Sequence, residues 1–164
     1  MKKINKLVEV LKNPKLRTFY KWFVAFILIV AMFMLAVNEG LIKMMVESDI
    51  SRLSVVITVL FFVFSIFTGY LAFTSDAKDK RFKIVKFVKE QFFTLGILGT
   101  VVGLIYMTND VLAGSDVKNI IVGLKDGLAT ALFTTAAGLV ASLLLHIQMY
   151  ILQYNYEKRD APIS

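Results

Sequence analysis

The chain has 164 residues, 57% of them hydrophobic, a mean hydropathy of +0.70 and a formal net charge of +7. This places it among membrane proteins, with room for about four spans and no sizeable soluble domain. It has no cysteine and one histidine, which excludes a disulfide framework, a thiol nucleophile and a histidine-rich metal site within one subunit.

Residues 1–19 form a basic cytoplasmic or interfacial segment. Ile4, Leu7, Val8 and Leu11 recur at helical spacing among Lys2, Lys3, Lys6 and Lys12, and Pro14 ends the pattern. That pattern suits an amphipathic helix on an anionic leaflet, or an ordinary basic tail. The apolar run from Trp22 to Val37 is long for a secretion signal and ends in Asn38-Glu39-Gly40 without a small-residue cleavage site. It reads as a retained first span. Residues 20–73 hold two bulky spans, about Tyr20 to Val37 and Ser54 to Phe73, which read as outer, lipid-facing helices. Residues 74–91 are a short connection, helical from Lys78 to Gln91. Residues 92–152 carry span three, about Phe92 to Thr108, and span four, about Leu128 to Leu152. Ser115 or Asp116 serves as N-cap of a helix that continues into span four. Residues 153–164 are a tail. At about 1.5 Å per residue, these spans match a hydrocarbon core of roughly 30 Å. The fold class is an all-α membrane protein with four transmembrane helices.

Basic residues give the orientation. The N-terminal segment holds Lys2, Lys3, Lys6, Lys12, Lys15, Arg17 and Lys21, and the connection after span two holds Lys78, Lys80, Arg81, Lys83, Lys86 and Lys89. The other two loops carry Lys43, Arg52, Lys118 and Lys125 alongside several acids. Both termini and the middle connection are therefore expected in the cytoplasm, and the lysines serve a lipid bilayer rather than nucleic acid. Trp22, Tyr150, Tyr154 and Tyr156 read as interfacial anchors.

All twelve Asp and Glu lie outside these spans. A proton or cation relay normally needs an ionisable group at depth. If ions cross with the help of this chain, the carboxylate comes from elsewhere. What the spans do offer is small and hydroxyl-bearing faces. Gly96, Gly99, Thr100 and Gly103 share one stripe of span three. Ala131, Thr135, Gly138 and Ser142 form a similar stripe of span four, with Thr134 alongside. Such stripes serve close helix packing, with each threonine bonded to its own i−4 carbonyl, or a polar pathway. His146, near the inner end of span four, suits a proton relay toward the cytoplasm, or simply a bond to a headgroup or a neighbouring helix. No nucleophile–base pair, phosphate loop or metal-ligand spacing appears, so the chain does not read as an enzyme.

The runs Leu95-Gly96-Ile97-Leu98-Gly99-Thr100-Val101-Val102-Gly103 and Gly127-Leu128-Ala129-Thr130-Ala131-Leu132-Phe133-Thr134-Thr135-Ala136-Ala137-Gly138-Leu139 resemble the MotA/TolQ/ExbB proton-channel family. The resemblance covers about Phe92 to Ile151. Four spans with both ends inside are closer to its MotA branch. It implies an inner-membrane homopentamer with spans three and four lining the centre, around two copies of a single-span, Asp-bearing partner of MotB/ExbD/TolR type. Thr100 and Thr135 would line the path of a translocated proton or sodium ion, with Thr134 nearby, and no cofactor is called for. Ion-motive force would drive relative rotation of pentamer and partner. The connection from Thr74 to Gln91 is too short for the cytoplasmic domain of flagellar members, which speaks against flagellar torque. The competing expectation is a non-conducting scaffold assembled through small-residue packing.

Overall fold

The computed structural model describes residues 14–74, 81–113 and 116–160. The amphipathic pattern of Met1 to Leu11, the segment from Lys78 to Lys80, Ser115 and the end of the tail lie outside the described residues. The described chain is helical: α1 Pro14–Asn38, α2 Leu41–Ser48, α3 Leu53–Thr74, α4 Arg81–Ala113 and α5 Val117–Asp160. Pro14 opens α1 at a position where its missing N–H costs nothing. Asp116 precedes α5 as its cap, with Oδ1 accepting from Lys118 N at 3.4 Å. Four helices have the length and apolarity to cross a membrane, over Leu16–Asn38, Leu53–Thr74, Arg81–Asn109 and Val117–Tyr154. With 33 and 44 residues, α4 and α5 extend about 50 and 66 Å, well past a 30 Å hydrocarbon core.

α5 is the hub. It packs most extensively on α4, and also on α3, α1 and α2. The core lies between α1, α3, the first turns of α4 and residues 141–152 of α5, around Trp22, Ile57, Phe61, Leu71, Val85, Phe92, Leu145 and Leu152. Most remaining apolar side chains face outward, including Leu28, Met32, Leu35, Val59 and Ile66. A bilayer or a second chain covers such surfaces, not water.

The expectation that span two simply faces lipid needs correction. α3 buries Ser54, Ile57, Phe61, Ser65, Thr68, Gly69 and Ala72 along one stripe, while Val56, Val59, Val63, Ile66, Tyr70 and Phe73 face out. Small residues let α3 approach α5 and α1 closely. Trp22 likewise turns into the protein and not out toward headgroups. It is buried, its ring rests over Gly69 and stacks on Phe26, and its Nε1 donates to Gln148 Oε1 at 3.2 Å. Gln148 also exchanges hydrogen bonds with Ser65, at 2.7 Å from Nε2 and 3.0 Å to Oε1. One buried amide thus joins α1, α3 and α5. Gln148→Leu leaves the indole N–H and Ser65 without this partner and is expected to cost about 1–2 kcal/mol. Trp22 is the sole tryptophan, so a blue-shifted emission and a lower unfolding midpoint in detergent check this directly. Tyr150 and Tyr154 are exposed and stacked, with centroids 6.2 Å apart, as anchors would be.

At the far end, Gly40 takes a left-handed conformation (φ 74°) that reverses the chain after α1 and starts α2. Asp49 is buried there and closes the α2–α3 loop. Its carboxylate accepts from Ser51 N at 3.0 Å, Ser51 Oγ at 2.6 Å and Ser54 N at 2.8 Å. From α5, Thr130 Oγ1 donates to Ser48 O and accepts from Ile50 N, both at 3.1 Å. The loop is pinned to span four at both of its backbone polarities.

Candidate functional site

The expected glycine and threonine stripes meet each other along the α4–α5 seam. A Cβ added at Gly138 would sit 2.6 Å from Phe92 O and 2.7 Å from Gly96 Cα. One at Gly103 would sit 2.6 Å from both Ala131 N and Gly127 O. These are backbone-to-backbone approaches, so hydrogen is the only side chain that fits. Ala131 is buried within the same contact, and Gly99 lies directly against the Thr134 side chain.

Between these contacts the hydroxyls of Thr100 and Thr135 are hydrogen-bonded to each other. Thr135 Oγ1 also lies 2.7 Å from Ala131 O and 3.3 Å from Gly96 O, and Thr100 Oγ1 lies 3.3 Å from Gly96 O. Each hydroxyl has one proton and two lone pairs. If Thr100 donates to Thr135, and Thr135 to Ala131 O, both of the Thr100 lone pairs and one of Thr135 remain free. The two residues are half-buried, in contrast to the fully buried Thr134. Thr100 stands midway along the apolar run from Phe92 to Thr108, which puts the pair near mid-depth. Along the two helices the nearest acids are Glu90 and Asp110, each ten residues from Thr100, and Asp126, nine from Thr135, or about 15 and 14 Å of helix. Among the described residues no carboxylate stands at the level of the pair, and no cluster of three or more His, Asp or Glu is placed to hold a metal ion.

Thr134 is placed differently. It is fully buried, and its hydroxyl lies 2.8 Å from Thr130 O and 3.2 Å from Ala131 O. It fills the seam opposite Gly99. Farther along, Ser142 Oγ donates to Lys89 O at 3.0 Å, and Lys89 Nζ lies 3.1 Å from His146 Nδ1. His146 is exposed and, with Lys86, Lys89, Met149, Tyr150 and Gln153, lines a cleft of about 160 Å³. The sequence reading gives Lys89 only a part in orientation and gives Gln148 none in the packing. Their partners lie 57 to 126 positions away, beyond any local pattern, although a glutamine inside an apolar run is itself a signal.

The sequence model of the MotA/TolQ/ExbB proton channel family matches residues 65–162. The chain belongs to this family. As a MotA/TolQ/ExbB member it is a multi-pass membrane protein of a channel and energy-transduction family, not of an enzyme family. The match takes in α4, α5 and the half of α3 that carries Ser65, and leaves out α1 and α2. No curated protein and no solved structure matches the chain.

Proposed function

We propose that this MotA/TolQ/ExbB member is the channel-forming subunit of an ion-driven motor of the cytoplasmic membrane. Five copies surround the membrane helices of two single-span partners of MotB/ExbD/TolR type, with spans three and four inward and the basic ends in the cytoplasm. The partner's Asp takes up a proton or sodium ion opposite Thr100 and Thr135. Release of that ion on the cytoplasmic side drives relative rotation. The observation that carries this reading is the facing, half-buried hydroxyl pair at mid-depth with no carboxylate at its level. It offers oxygens to an ion-bearing group and lacks that group. Thr134 is left out of the path, because its side chain is fully buried against Gly99. His146 stays at the exit, beyond Ser142.

Co-expression with the neighbouring reading frame and cryo-electron microscopy of the purified complex test this reading. Five copies around two foreign helices, with an Asp at the level of Thr100, are expected. A closed oligomer with no central partner would overturn it. One observation favours the scaffold reading: Thr100 and Thr135 each lie within bonding distance of an i−4 carbonyl, as packing threonines do.

A further inference from the structure

Beside His146, the cleft at the basic end of the α4–α5 seam holds groups to which the motor reading gives no part: Lys86, Lys89, Tyr150 and Gln153. An ammonium can only donate, so Lys89 fixes His146 Nδ1 as an acceptor and puts the ring proton on Nε2. The pair therefore presents the remaining Lys89 protons and an imidazole N–H. Lys86 adds a second ammonium, and Tyr150 and Gln153 add neutral donors. Neither lysine has a carboxylate partner among the described residues, and Glu90, one position after Lys89, does not line the cleft. Two cations and several donors lining one cleft, with no carboxylate among its described lining residues, call for a multidentate anion.

Depth says which one. Lys89 is eleven residues from Thr100, and His146 is eleven from Thr135. With the threonines at mid-depth, both stand about 16 Å from the centre, at the edge of a 30 Å hydrocarbon core. Lys86 lies one turn farther out. Tyr150 of the lining is 61% exposed, and Phe87 and Ile147, next in sequence to Lys86 and His146, are 61% and 44% exposed. These apolar side chains suit acyl chains, while the cationic cleft sits at headgroup level. We propose that this cleft binds a phosphate group, supplied by an anionic lipid whose acyl chains lie along Phe87 and Ile147. The site goes beyond the motor reading and does not depend on it.

The test uses the full chain in phosphatidylcholine nanodiscs carrying a minor share of spin-labelled phosphatidylglycerol. The motionally restricted fraction is compared with that of spin-labelled phosphatidylcholine. Preference for the anionic label is expected. Lys86→Gln and Lys89→Gln should each lower it about tenfold, the worth of one hydrogen bond to a charged group within the cleft. His146→Phe should lower it about threefold, as loss of a neutral donor does. Lys89→Arg should retain it, which separates lost binding from lost folding. Lys83→Gln removes the same charge from an exposed position of α4 outside the cleft and should leave the preference intact. A loss with Lys83→Gln as large as with Lys89→Gln, or no preference for the anionic label, would overturn the site. Release of the label by inorganic phosphate beyond that caused by chloride at equal ionic strength would assign the cleft to free phosphate and overturn the lipid source.

Discussion

Gly138→Leu is expected to separate α4 from α5 and abolish the assembled species. The added side chain would begin 2.6 Å from Phe92 O and 2.7 Å from Gly96 Cα. Both are backbone atoms of the facing helix, which no rotamer change can move. Overpacking typically costs 1–3 kcal/mol, and with helix backbones as the obstacle the cost here should reach about 3 kcal/mol or more. Gly103→Leu meets Ala131 N and Gly127 O at 2.6 Å and should behave alike. Gly96→Ala is the internal control. Its Cβ would stand 3.3 Å from Gly138 Cα and from Thr135 O, so a shift of a few tenths of an ångström accommodates it, at about 1 kcal/mol or less. Size-exclusion profiles and unfolding midpoints in mild detergent rank the three. If Gly138→Leu assembles and melts like the unmodified protein, the seam is not the contact described.

That seam was the most legible part of the molecule, for a physical reason. Helical periodicity fixes which residues of one helix share a face, and two faces of glycine and threonine in adjacent spans have little choice but to meet. Periodicity says less about which bulky helix is buried. In α3 the serines and Gly69 are outnumbered by phenylalanine and valine, so the buried stripe is hidden behind the exposed one. Trp22 was misread because tryptophan prefers interfaces in general, and its actual partner, Gln148, lies 126 residues away. α2 escaped notice because eight residues between Gly40 and Asp49 are too few for a span. What holds it in place includes Thr130, some eighty positions on. Thr134 and Thr135 are neighbours in sequence but about 100° apart around the helix. One therefore packs on Gly99 while the other meets Thr100, a distinction that spacing alone leaves open.

Thr135→Val turns that distinction into a measurement. Valine keeps the shape of threonine and removes one hydroxyl. Thr100 loses its partner but retains Gly96 O within reach, and Ala131 O loses only an accessory bond from the side chain. Stability should therefore change by about 1 kcal/mol or less. Ion flux through vesicles containing this chain and its partner should instead fall about tenfold or more, since a hydrogen bond to a charged group is worth about 1.5–3 kcal/mol. Thr100→Val should act in the same direction, because it removes the other hydroxyl of the pair. Thr135→Ser, which restores the oxygen, should restore flux. Thr134→Val removes a hydroxyl already turned to Thr130 O and Ala131 O and should leave flux unchanged. The scaffold reading expects all four variants to behave alike, because packing is nearly the same in each. A flux that ignores Thr135→Val while Gly138→Leu still destroys assembly would leave the glycines as the reason these helices meet, and the threonines as part of the packing.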